Sequence, residues 1–103
     1  MNASETWITE AILVEIANGL STANRSGAIS FIKSCYRTQN IKVVGIDSAL
    51  LNKGLELYQA RSDKRWGLTD CLSFVVMSEN NIQNAATADI HFVQAGYTAL
   101  MLV

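Results

Sequence analysis

Apolar positions along this chain recur at two spacings, and the spacing changes at short polar breaks. TWIT is a short strand, and Thr9 stands where it would cap a helix running from about Glu10 to Leu20, with Ile12, Ile16 and Leu20 as its apolar stripe. STANRSG interrupts the pattern. A second helix is predicted from about Gly27 to Arg37 through Ile29, Phe31, Ile32 and Tyr36. IKVVGI, rich in β-branched residues, reads as a buried strand. Asp47 or Ser48 caps a third helix with Leu51, Leu55 and Tyr58 as its spine. The run WGLTDCLSFVVMSEN, from Trp66 to Asn80, is a fourth helix, apolar on nearly every side. AATAD is then a strand of small residues ending in Asp89, IHFVQAG a short helical turn closed by Gly96, and TALMLV a further buried strand. Helices alternating with short apolar strands predict a single α/β domain over residues 1–103, with a parallel sheet covered on both faces in three α/β/α layers.

Composition narrows the function classes. The chain has 103 residues, half of them apolar, enough for one modest core. Its longest apolar runs, such as AILVEIA and SFVVM, are too short to span a bilayer, and MNASETW lacks the basic start and apolar run of a signal peptide, so no membrane partner and a cytoplasmic location are expected. The two cysteines, Cys35 and Cys71, lie far apart inside apolar helical patterns with no CxxC, which suits reduced core thiols. The net charge of −1 gives no overall basic field. The one local concentration of cations is Arg61, Lys64 and Arg65 around Asp63, a solvated helix end or a weak RNA contact.

Three carboxylates have unusual addresses. Asp70 lies near the azimuth of Phe74 and Met77, one and two turns on, so it is expected to point where large apolar side chains point. Glu15 lies at the margin of the Ile12/Ile16/Leu20 stripe, within reach of a helix–sheet seam. Asp89 ends a strand, where ligands of parallel sheets collect. Each also has a plain structural reading: Glu15 as a paired rim residue, Asp70 as a helix N-terminal acid, Asp89 as an N-cap. Carboxylates gathered at one place repel and are driven toward protonation unless a cation compensates. Hard oxygen ligands of this kind suit Mg²⁺ or Mn²⁺, which can orient a water for in-line attack on a phosphodiester. Other chemistries lack their parts. There is one histidine, His91, no base partner for a serine or cysteine nucleophile, and no glycine-rich phosphate loop.

With those residues in view the sequence resembles the PIN-domain proteins, specifically the VapC-like toxin ribonucleases of bacterial toxin–antitoxin pairs. WGLTDCLSFVVMSENNIQNAATADIHFVQAGY is similar to the family's C-terminal block, in which Thr-Asp opens a buried helix and a second Thr-x-Asp ends a strand before His-Phe and an Ala-Gly turn. WITEAILVEIANGLS is similar to the segment carrying the family's helical glutamate. The resemblance implies that Glu15, Asp70 and Asp89 are catalytic metal-site acids for Mg²⁺ or Mn²⁺, that Thr69 and Thr87 support them, and that the substrate is RNA. It also implies a cognate antitoxin and a homodimer. Family members begin with a further strand ending in an aspartate, the central one of their sheet. Here Met1 falls where the second strand would begin, so a PIN-like fold incomplete at the N-terminus is expected, with impaired activity and with two copies covering each other's open sheet edges. The alternative expectation is a catalytically inactive PIN-like interaction module that dimerises or binds an antitoxin.

Overall fold

The computed structural model describes residues 5–80, and these form a mixed α/β arrangement of four helices and a two-stranded parallel sheet. The order is β1 (Thr6–Thr9), α1 (Glu10–Gly19), α2 (Arg25–Arg37), β2 (Ile41–Val44), α3 (Ser48–Ala60) and α4 (Leu68–Glu79). The strands AATAD and TALMLV and the turn IHFVQAG lie outside the described residues, and with them Thr87, Asp89 and His91.

β1 and β2 pair in parallel with Trp7 opposite Lys42 and Ile8 opposite Val43. Two parallel neighbours need a crossover, and α1 with α2 supplies it. Side chains alternate along each strand, so the ribbon presents different residues to its two faces. Ile8, Ile41 and Val43 pack with Leu13 of α1 and with Phe31, Ile32 and Cys35 of α2. Trp7 and Val44 pack instead with Leu50 of α3 and Leu72 and Val76 of α4. A third cluster, Ile16, Leu20 and Ala28, ties α1 to α2. Lys42, on the exposed second position of β2, lays its ammonium 5.4 Å from the centre of the Trp7 ring.

The caps explain where helices start. Asn24 precedes α2 and its Oδ1 accepts from the Gly27 amide at 3.0 Å, which starts that helix two residues before the predicted Gly27. Asp47 is the cap of α3, its Oδ1 accepting from the Leu50 amide at 2.8 Å. Thr9 occupies the capping position of α1, but its hydroxyl makes no capping bond. It is instead buried, and its Oγ1 has no hydrogen-bond partner among the described residues.

The spine predicted for α3 is corrected. Leu51, Leu55 and Tyr58 are exposed, whereas Leu50 and Gly54 are buried. The contact line runs through Gly54 because a glycine there admits α4 at close range: a Cβ built on Gly54 would stand 2.6 Å from Leu72 Cδ2. The helix is thereby rolled about a quarter turn from the orientation its largest apolar residues predict. Cys35 and Cys71 are free and buried, as expected of core thiols.

Candidate functional site: the α1–α4 seam

Asp70 sits in the first turn of α4, and its surroundings correct the expectation that it points inward. The buried line of α4 is Leu72 and Val76 with Leu68 beside them. Asp70 lies about 160° around the helix from Leu72, and Phe74 and Met77, whose azimuth it shares, are only half-buried. The carboxylate is exposed, with Oδ2 accepting from the Gly67 backbone amide at 3.0 Å. That is one half of a capping box, placed where the helix dipole favours negative charge. The other oxygen, Oδ1, has no partner among the described residues.

Glu15 is also exposed, not tucked into the helix–sheet seam as its wheel position predicts. Leu13 is the reason. It is buried beside Ile8 and Cys35, which rotates the buried stripe of α1 toward Leu13 and carries Glu15 about 130° from its centre. That rotation turns Glu15 toward another element. Ala11, one turn earlier and on the same side of α1, packs into the cluster built by Leu72 and Val76, so Glu15 projects from the α4 side of its helix. On α4, Thr69 is half-buried and the Ser73 hydroxyl is buried with no partner among the described residues. Glu15 and Asp70 therefore stand exposed on two helices that touch, with Asp70 on the side of α4 away from the Leu72 and Val76 line that meets Ala11.

Among the described residues no three histidines, cysteines or acids lie close enough together to hold a metal ion. The convergence expected at residues 15, 70 and 89 includes Asp89, which lies outside the described residues. No protein family, curated protein or solved structure matches the chain. Carboxylate oxygens open to water are hard donors of the kind Mg²⁺ and Mn²⁺ prefer.

The basic cluster is less available than its sequence implies. Arg61 closes α3 with a two-pronged contact to Asp63, Nε to Oδ1 at 3.1 Å and an Nη to Oδ2 at 3.2 Å. Hydrogen bonding to Arg61 holds the Asp63 carboxyl below its usual range. The same guanidinium lies 5.3 Å from the centre of the Trp66 ring, and Trp66 meets Phe74 edge-on with centroids 4.8 Å apart. Arg61, Trp66 and Phe74 line an open groove of about 460 Å³ between α3 and α4, lined also by the Lys53–Glu79 ion pair. Lys64 and Arg65 remain exposed in the loop.

The sequence reading missed one interaction at the carboxyl end of the strands. Glu10 follows β1 directly, and its Oε2 accepts from the Tyr36 hydroxyl on α2. Its Oε1 comes within 3.3 Å of where a Cβ on Gly45, just past β2, would lie, so a larger residue at 45 would crowd it. The only sequence signal was an acid at the first position of a helix, which the dipole alone explains. The hydrogen bond to Glu10, with burial and its negative charge, pushes the Tyr36 phenol up to about 12. A raised folded-state value means that the bond contributes fully below the unfolded tyrosine value of about 10 and is lost as pH rises through about 12. Tyrosinate absorbance is expected to show one late-titrating phenol that returns toward the ordinary range in Glu10→Gln. Identical titrations of the two proteins would show that the contact does not persist in solution.

Proposed function

We propose that this chain is a Mg²⁺- or Mn²⁺-dependent endoribonuclease of toxin–antitoxin type on a three-layer PIN-like domain, with Glu15, Asp70 and Asp89 as its acids. One observation carries the reading most: Glu15 and Asp70 stand on adjoining helices, both open to water, and Asp70 keeps one oxygen uncommitted while the other is fixed by the Gly67 amide. A carboxylate held by one oxygen has its second aimed at small entropic cost, which is what a ligand needs. The clusters on opposite faces of the β1–β2 ribbon support the layered architecture.

Glu15, Asp70 and Asp89 would hold the ion, with Thr69, Thr87 and the Ser73 hydroxyl supporting them. A divalent ion at such a site supplies positive charge to the phosphodiester and acidifies water. The chain's own part is to fix Asp70 by its amide contact. Lys64 and Arg65 offer exposed charge for RNA phosphates, whereas Arg61 must first exchange Asp63 for a phosphate. No helix among the described residues is long and apolar enough to cross a membrane, and the proposed place of action is the cytoplasm, where RNA is found.

A second reading, an inactive interaction module that dimerises or binds an antitoxin, is favoured by the exposed Leu51, Leu55 and Tyr58. Cleavage of RNA in Mg²⁺ or Mn²⁺ with and without chelator separates the two. The enzyme reading requires cleavage that chelator abolishes, and cleavage indifferent to chelator overturns it. Thermal melting gives an independent check. An ion present at 100 times its Kd should stabilise the fold by about 2.7 kcal/mol, and a melt unmoved by Mn²⁺ removes the metal site.

A further inference from the structure

We infer that the groove between α3 and α4 binds a small aromatic carboxylate, with its flat body along the apolar wall and its acid group on Arg61. The space is about 460 Å³, within the roughly 300–1,000 Å³ of pockets that take small organic ligands. Leu57 of α3, Trp66, Phe74 and Val75 form the wall, and all four are half-buried, with apolar surface left to cover. Trp66 and Phe74 meet at 62°, so a guest finds both a ring face and a ring edge, the two surfaces on which aromatic rings pack best. An aromatic guest therefore gains more there than an alkyl one. Lys53 and Arg61 stand about two turns, or about 12 Å, apart along α3. One or two fused rings fit that length.

Charge placement makes the guest an anion and sets which way round it lies. Two cations and one acid line the groove: Lys53, Arg61 and Glu79. Lys53 and Glu79 pair with each other, so their end is neutral. Arg61 is paired with Asp63, but the groove reaches Arg61 and not Asp63. Among the described lining residues the guanidinium is therefore the charge that nothing inside the groove compensates. Its fork still has room. Asp63 takes the side-on donors, Nε at 3.1 Å and Nη2 at 3.2 Å. A guanidinium carries five N–H donors in one plane, so the end-on pair, Nη1 with the second hydrogen of Nη2, can donate to another carboxylate without displacing Asp63. The guanidinium lies 5.3 Å from the centre of the Trp66 ring, so a carboxylate received there carries its ring to the aromatic wall. An amine would meet the guanidinium as a like charge, and a neutral compound would leave it unused. RNA brings a phosphate with every residue, whereas this groove has an acid at its far end.

Openness limits the strength. A two-ring acid covered on one side only is expected to bind with a Kd on the order of 0.1–1 mM. Neither Glu15 nor Asp70 lines the groove, and the inference stands whether or not the chain cleaves RNA.

Titration of the full, nitrogen-15-labelled chain with 2-naphthoate, followed by NMR, is the direct test, because the protein has two tryptophans whose indole N–H signals report separately. Trp66 lines the groove, and Trp7, whose indole donates to Glu5 and which does not line it, is the internal control. The Trp66 signal, assigned by its loss in Trp66→Phe, is expected to move saturably up to about 5 mM ligand while Trp7 stays in place. Neutral 2-naphthalenemethanol and cationic 2-naphthylmethylamine should each bind at least about tenfold more weakly. Arg61→Gln should weaken 2-naphthoate by a similar factor and leave the alcohol unaffected. Lys53→Gln combined with Glu79→Gln, which keeps that end neutral, should change neither. A Trp66 signal that does not move overturns the inference, and so does an alcohol that binds as well as the acid. Adenosine monophosphate binding more tightly than 2-naphthoate would make the groove a nucleotide site and overturn it too. Should Arg61→Gln lose its fold, the comparison of acid with alcohol on the wild type still decides.

Discussion

Asp70→Asn is expected to reduce metal-dependent RNA cleavage by on the order of 100-fold or more while barely changing the stability of the fold. On the proposed reading the two effects separate because the carboxylate would have two jobs with different chemical requirements. Its contact with the Gly67 amide, at 3.0 Å, needs only an acceptor oxygen, and the asparagine carbonyl is one. What is lost on the stability side is the charge at the helix N-terminus, worth about 0.3–1 kcal/mol at an exposed position. What is lost at the site is a negative ligand, and an amide does not replace a carboxylate on Mg²⁺ or Mn²⁺. Glu15→Gln should behave alike, with little stability change because Glu15 is exposed. The double variant should be scarcely worse than either single one, since groups that act as a unit fail as a unit. Retention of cleavage by Asp70→Asn, with chelator still effective, would move the metal site away from Asp70. A large fall in stability in the same variant would show that the amide contact requires the charge.

The expectation that Asp70 points inward shows where periodicity stops being informative. On an amphipathic helix the polar side identifies the solvent side, but α4 carries apolar residues nearly all round, so its wheel does not say which apolar residues face the core. Cys71, Leu72 and Val76 do, and Phe74 and Met77 are left half-buried on the side of Asp70. Glu15 went astray for a related reason. The stripe Ile12/Ile16/Leu20 is real, but Leu13 broadens it on one side only, and the helix settles with Leu13 inside. Elements themselves were legible wherever a strong cap stood next to a clear period. Asp47 opens α3, the β-branched IKVV forms β2, and α4 ends at Glu79, one residue short of the predicted Asn80. That the hydroxyls of Thr9 and Ser73 have no partner among the described residues was not legible, because threonine at a helix start reads as a cap and serine within a helix reads as neutral. Their lack of partners emerges only when β1 and α4 are packed.

Gly54 is the residue whose role no pattern announces, and its substitution is expected to change sign with its neighbour. In the wild type, Gly54→Ala gains up to about 1 kcal/mol of helix propensity. It also sets a Cβ 2.6 Å from Leu72 Cδ2 and 3.2 Å from Leu72 Cγ. Leu72 is buried in the cluster that joins α3, α4 and the strands, so its branched end can turn aside only against close-packed neighbours. Overpacking of this kind costs about 1–3 kcal/mol, and the net effect is destabilising. Leu72→Ala alone removes the obstructing carbons and leaves a cavity, at a cost of about 2–5 kcal/mol. Adding Gly54→Ala to that protein then meets no clash, fills part of the cavity and keeps the full propensity gain, so the double variant should be more stable than Leu72→Ala by about 1 kcal/mol. Urea denaturation of the four proteins measures the cycle, with the urea dependence of unfolding checked for constancy so that the midpoints report stability. If Gly54→Ala stabilises both backgrounds, α3 and α4 do not approach as closely as Gly54 permits. The rotation that carries Leu51, Leu55 and Tyr58 to the surface would then lose its cause.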